Sequence, residues 1–384
     1  MIKRAVYLAG LRLLLPAVDS LHGSGLDAKA EHALLRLLRR HRCLGGVLRL
    51  FDAGGTAAEY AFGQAGPGRP AEPGMAFRVA SVSKMITAAC VLKLAEQGLV
   101  DLDEDVNLAL PYPLRHPGAP QQAITLRQLL SHTAAINDGQ AYQQGIVTGA
   151  PASQVLAGDS FCSHLPGDRW SYSNLGAGLI ACVLEGKLGK SFEAIMQETL
   201  FAPLGVAASF YPQRVTGPLA DAARVLPPSR SPGFDAAQRR AKPLTGADQP
   251  DPERHYTLAQ GNCCLTVQGL HILMEALVRP GFLRADTLTM MRRPVADFGQ
   301  RSAHLKQGLG MFELNNPAIS ALPLYGHQGN AYGAVHAAFF EPRAGRGMIF
   351  LSYGASEARL AFLADIVADL LALFYGEGAW PRTA

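Results

Sequence analysis

Short strand-like runs at both ends of this chain, with helical patterns between them, constrain its fold more than any other feature. Near the start, Gly46-Val47-Leu48-Arg49-Leu50-Phe51 and Ala58-Glu59-Tyr60-Ala61-Phe62 flank Asp52-Ala53-Gly54-Gly55, which is a hairpin signal. Towards the end, residues 308–314, 322–326, 334–340 and 348–353 are short, apolar and bounded by turn residues. Between them, helical spacing marks 85–97, 174–188, 192–200 and 266–278, and Thr125-Leu126-Arg127-Gln128 has the form of a capping box. Amphipathic helices are expected at 27–41 and at 357–375, the latter with Leu360, Leu363, Ile366, Val367, Leu370, Leu371 and Phe374 on one face. The pattern predicts an α+β fold: one antiparallel sheet from both termini, flanked by helices, with a mostly helical region inserted. The expected organisation is an N-terminal extension over 1–26, a sheet domain from 27–103 plus 300–384, and a helical domain over 104–299. A proline-rich loop at about 212–253 reads equally as a lid or as a surface insertion.

Composition excludes several classes. With 48% hydrophobic and 17% charged residues, the chain is globular rather than disordered. A net charge of +4, scattered along 384 residues, gives no footprint for nucleic acid. Arg36, Arg39, Arg40 and Arg42 cluster but alternate with leucines, as on the wet face of a helix. The six cysteines show no metal-ligand spacing and favour a reducing, cytoplasmic compartment. Residues 1–18 run from charged to apolar like a secretion signal, but Arg12 interrupts the run and no small-residue cleavage site follows. A helix packed on the body is expected there, with secretion or a cell-envelope location following if 1–20 acts as a signal. The run is too short to span a bilayer, and no other segment reads as transmembrane.

Three segments carry chemistry. Ser81 and Lys84 stand three apart at the expected start of a helix, so they share its first turn. A lysine there can take the proton of a serine nucleophile, and the helix N-terminus favours the charge that develops. Tyr172 and Asn174, two apart in an extended turn, face the same way, and a nearby ammonium would lower the phenol's pKa. Tyr325-Gly326-His327-Gln328-Gly329-Asn330 ends a predicted strand where a glycine admits a close ligand and backbone amides can hold an oxyanion. His132, within Ser131-His132-Thr133, is expected to be a structural hydrogen bonder rather than a metal ligand. Gly176-Ala177-Gly178 fits part of a dinucleotide fingerprint, but no buried strand precedes it, and close helix packing explains it better. No cofactor is called for.

In order and context, Ser81-x-x-Lys84, Tyr172-x-Asn174 and His327-x-Gly329 resemble the active-site triplet of penicillin-recognising serine hydrolases. The nearest branch is that of class C β-lactamases, D-alanyl-D-alanine carboxypeptidases, D-aminopeptidases and family VIII esterases. Phe77-Arg78-Val79-Ala80 before Ser81, Pro166-Gly167 ahead of Tyr172 and Gly308-Leu309-Gly310 support the resemblance, which covers about 27–375. It implies a β-lactamase/transpeptidase-like fold and a small-molecule or peptide substrate. Ser81 would be acylated, with Lys84 and Tyr172 sharing the proton transfers. Asn174 would bind Lys84 and the substrate amide, and the N–H groups of Ser81 and Asn330 would form the oxyanion hole. His327 stands where the family has lysine, with a charge expected to vary near neutral pH. Gln328 replaces a threonine that grips the β-lactam carboxylate. The expected activity is hydrolysis of an ester or amide through an acyl-enzyme. The alternatives are a class C-like β-lactamase or D,D-carboxypeptidase, and a non-catalytic protein that binds peptide or cell-wall fragments.

Overall fold

The computed structural model describes residues 18–220 and 246–381, apart from 67, 157, 300, 301, 332, 356, 357, 360 and 377, together with Val6. Most of the N-terminal segment and the 221–245 part of the proline-rich loop therefore lie outside the described residues, as does Leu360.

The expected hairpin forms from β2 (Gly45–Asp52) and β3 (Gly55–Gly66). Asp52 Oδ1 accepts from Gly54 N at 2.8 Å in its turn. The C-terminal strands β11 (Leu324–Ala331), β12 (Ala334–Glu341) and β13 (Arg346–Tyr353) pair in sequence, and β13 then pairs with β2, Leu351 opposite Val47. The two ends of the chain thus meet in the middle of one sheet. Shorter strands extend it: β1 (Leu21–Ser24) beside β3, and β10 (Phe312–Leu314), β9 (Leu305–Gln307) and β8 (Ala296–Asp297) beyond β11. The two-residue β4 (Arg69–Pro70) pairs with the end of β3. All pairings are antiparallel.

Alternation along the strands makes two cores. Val47, Ala338, Ile349 and Leu351 face the helices Val82–Glu96, Asn174–Leu188 and Val267–Val278. Leu48, Leu50, Phe339 and Phe350 face Leu34 and Leu38 of helix Ala28–Arg40 and Ile366, Val367 and Leu370 of helix Asp365–Leu371. The 28–40 helix presents the expected wet face, with Arg36, Arg39 and Arg40 exposed, and Asp27 caps it by accepting from Ala30 N at 2.8 Å. Thr125 and Gln128 form the capping box. Ser173 caps the 174–188 helix at Gly176 N, 2.9 Å, and Gly189 ends it in the left-handed region at φ +66°. A Cβ on Gly178 would stand 1.6 Å from Tyr256 O, so this glycine is a packing residue.

Two expectations at helix ends need correction. The helix expected over 192–200 is α-helical only at Phe192–Met196 and widens into a π turn at Gln197–Phe201. The closing helix begins at Asp365 rather than at 357, because Gln328 claims the backbone ahead of it: its Nε2 donates to Phe362 O and its Oε1 accepts from Ala364 N. A small second sheet, with β7 (Cys264–Thr266) between β5 (Ala76–Arg78) and β6 (Ala208–Ser209), supports the approach to Ser81. The strand partner of β5, β7, lies almost two hundred residues away in sequence. No helix among the described residues is long and apolar enough to cross a membrane.

Candidate active site

Ser81 sits where the chain leaves the small sheet and enters helix Val82–Glu96. The turn is sharp: Ala80, a residue with a Cβ, lies in the left-handed region at φ +48°, a conformation that costs of order 1–2 kcal/mol. It is held by Val79 N on Cys263 O at 2.9 Å and by Cys263 N on Ser83 Oγ at 3.1 Å. Ser81 is the N-cap residue, yet its hydroxyl makes no capping bond. Its oxygen is instead committed to the site.

Lys84, one turn on, is 4% exposed. Its Nζ donates to Ser81 Oγ at 3.1 Å, Asn174 Oδ1 at 2.9 Å and Gln260 O at 2.6 Å. Three acceptors match the three protons of an ammonium. Burial nevertheless lowers its pKa to about 7, against the opposing attraction of Asp138. An amine poised there is able to exchange a proton with a serine at neutral pH.

Tyr172 hydrogen-bonds to Ser81, and Lys84 Nζ lies 5.0 Å from its ring centroid. The expectation of a lowered phenol pKa is overturned. Burial pushes it above the ordinary value, Asp138 adds to the rise, and the Ser81 bond and the charge of Arg359 oppose it. The tyrosine is therefore a neutral phenol at ordinary pH. The His132 ring lies against it at 4.3 Å between centroids. His132 Nδ1 accepts from Ser173 N at 3.3 Å, which places its own proton on Nε2, and burial holds the ring neutral. This is the structural role expected of it.

Asp138 is one residue that sequence reasoning missed. Its carboxylate accepts from Ser173 Oγ (2.8 Å), Asn174 N (3.0 Å), Asn174 Nδ2 (2.8 Å) and Leu175 N (2.9 Å). It thereby occupies the N-terminus of the 174–188 helix and fixes the amide of Asn174 with Oδ1 towards Lys84. In the sequence, an Asp-Gly pair such as Asp138-Gly139 is no more than a turn signal. Gln260 was missed too, because it acts through its carbonyl; its side chain is held by the Tyr142 hydroxyl.

Strand β11 passes over the nucleophile. A Cβ on Gly329 would lie 2.4 Å from Val79 O and 3.3 Å from Ser81 N, so only glycine lets the strand come this near. Asn330 follows it, with its Oδ1 buried and unpartnered. His327 is buried against Phe312, 4.1 Å between centroids, and 6.5 Å from the Tyr172 ring. Burial, reinforced by Lys84, lowers its pKa to about 3, although a bond to Gln328 O opposes the shift. The expected titration near neutrality does not occur, and His327 is an uncharged imidazole. Gln328 departs further from expectation. The register sends it to the opposite sheet face from His327 and Gly329. It is 3% exposed, and its amide is spent on the backbone of 362 and 364 at 2.7 and 2.9 Å. It holds a segment of the protein where the family's threonine would hold substrate.

The structure thus gathers Ser81, Lys84, Tyr172, Asn174, His327 and Gly329 around one point, and the fold is that of β-lactamase- and transpeptidase-like hydrolases. The chain belongs to the beta-lactamase family, whose model, described as "Beta-lactamase", matches residues 28–372. It is 26% identical to Esterase EstB of Burkholderia gladioli over 385 residues, covering 89% of this chain and 94% of that one. It is 28% identical to Penicillin-binding protein 4* of Bacillus subtilis (strain 168) over 176 residues, which are 44% of this chain but only 38% of that protein. Among solved structures, EstCE1, a hydrolase with promiscuous acyltransferase activity, superposes with a TM-score of 0.71 at 21% identity, covering 98% of this chain and 100% of that one.

Proposed function

We propose that this protein is a serine hydrolase that cleaves a small ester or amide through an acyl-enzyme on Ser81. The observation that carries this reading is the buried Lys84, held at a pKa of about 7 and bonded to the Ser81 hydroxyl. In acylation, neutral Lys84 takes the Ser81 proton as Oγ attacks the carbonyl carbon. Tyr172 passes its proton to the departing group and becomes a phenolate beside the new ammonium. In deacylation the phenolate takes a proton from the attacking water, and Ser81 leaves the acyl carbon and recovers its proton from Lys84. The backbone N–H groups of Ser81 and Asn330 hold the oxyanion, each contributing about 3 kcal/mol to the transition state. Asn174 keeps Lys84 on Ser81.

Esters fit better than β-lactams. A penicillin carries a carboxylate that asks for a cation and a hydroxyl beside the catalytic serine. Here His327 is neutral and Gln328 is engaged elsewhere. One relative matched over nearly its whole length is an esterase. We expect measurable turnover of p-nitrophenyl acetate and slow or no hydrolysis of nitrocefin, with D-amino-acid amides as the third arm. Rapid nitrocefin turnover without esterase activity contradicts the ester preference. Binding of peptides without turnover of any arm, and without labelling of Ser81 by a fluorophosphonate, supports the non-catalytic alternative instead. The six free thiols fit a reducing, cytoplasmic compartment.

A further inference from the structure

The segment clamped by Gln328 carries an aromatic ring beside the proton donor. Phe362 is partly exposed, and its ring lies 5.6 Å from that of Tyr172 and 5.6 Å from that of Trp170. Phe298, at 4.9 Å, and Phe312, at 5.6 Å, back it from inside, and both are buried. Phe362 and Tyr172 are therefore the partly exposed members of an aromatic cluster whose other rings, Trp170, Phe298 and Phe312, are buried. Its position is set by the two bonds from Gln328 to Phe362 O and Ala364 N, which tie the segment across to strand β11.

Any group that departs with the Tyr172 proton must do so from within hydrogen-bond reach of that hydroxyl. A departing group held there can reach the partly exposed Phe362 ring, 5.6 Å from that of Tyr172. Resting on the hydrolase reading above, we propose that Phe362, presented by the Gln328 clamp, is a specificity-determining residue that selects a flat, apolar leaving group. A ring on the substrate can stack on or edge against Phe362, whereas a short alkyl group makes little contact there. Exposed Arg359 lies on the same segment, and its charge reaches the Tyr172 hydroxyl. It could favour an anionic leaving group instead, so the test must separate the two.

Three acetate esters with leaving alcohols of similar basicity do so: benzyl acetate, propyl acetate and 4-(acetoxymethyl)benzoate. The expected wild-type kcat/KM for benzyl acetate exceeds that for propyl acetate by about three- to tenfold. In Phe362→Ala, and in Gln328→Leu where the clamp is lost, this ratio falls towards one, and Phe362→Tyr restores it. Fluorophosphonate labelling of Ser81 in each variant shows that the site is still assembled. Equal rates for the benzyl and propyl esters in the wild type overturn the proposal, as does a ratio that survives Phe362→Ala. A preference for the benzoate ester that persists in Phe362→Ala overturns it in favour of an ionic anchor. Loss of labelling in the wild type itself, with all three esters inert, refutes the hydrolase reading and is thus told apart from failure of the Phe362 role alone.

Discussion

Replacing Ser81 by alanine lowers kcat/KM for p-nitrophenyl acetate by at least about 10⁴-fold while leaving the fold intact. The magnitude follows from what is removed. Ser81 is the atom that forms the bond, and without it Lys84 and Tyr172 have nothing to activate and only direct attack by water remains. The fold survives because the Ser81 hydroxyl makes no helix cap. Its loss frees one of three acceptors of Lys84, and the bonds to Asn174 and Gln260 remain. Circular dichroism and urea unfolding check the second half of the statement. A variant that keeps more than a few per cent of wild-type turnover would remove Ser81 from the mechanism.

Lys84 gives the second large effect and a distinctive pH signature. Lys84→Met, near in length but without the amine, is expected to lose about 10²- to 10⁴-fold in kcat/KM, the usual share of a positioned base. The pH dependence follows from the sign of the shift. Burial lowers the pKa of Lys84 to about 7, so below that pH it is an ammonium and cannot accept the Ser81 proton. Log kcat/KM for a neutral ester therefore climbs with a slope near one as pH rises towards about 7, then levels off as neutral amine predominates. His327, with its pKa lowered to about 3, adds no second limb near neutrality. Lys84→Arg should be as inactive as Lys84→Met, because a guanidinium stays protonated throughout. A wild-type profile that is flat through neutrality, or an active Lys84→Met, contradicts Lys84 as the base.

Local signals in the sequence carried the architecture well. The hairpin around Asp52-Gly55, the capping box at Thr125 and the span of helix 174–188 are set by neighbours a few residues away, where turn and cap chemistry can be read directly. Ser81 and Lys84 were legible because three-residue spacing on a helix is a contact. Tyr172 and His327 were placed by motif order, but their ionisation was not legible. Phenol and imidazole both lose their expected charge behaviour through burial, which depends on packing from β10, β11 and the 132–138 segment rather than on adjacent residues. Asp138 and Gln260 were invisible for a related reason. One acts by capping a helix from 36 residues away, the other through a backbone carbonyl common to every residue type. Gln328 shows the limit of a motif most plainly: alternation along β11 turns its side chain to the far face of the sheet. The same residue explains why periodicity overran the start of the closing helix, since a long-range side chain claims the backbone that a local helix would use.

Covalent capture tests the central claim most directly. Wild-type protein mixed with p-nitrophenyl acetate, quenched in acid before the steady state decays, and digested for mass spectrometry should carry one acetyl group on the peptide that contains Ser81. The adduct should disappear as substrate is exhausted and be absent from Ser81→Ala. Sustained turnover with no acetyl on that peptide, or with the acetyl on another residue, would contradict an acyl-enzyme at Ser81.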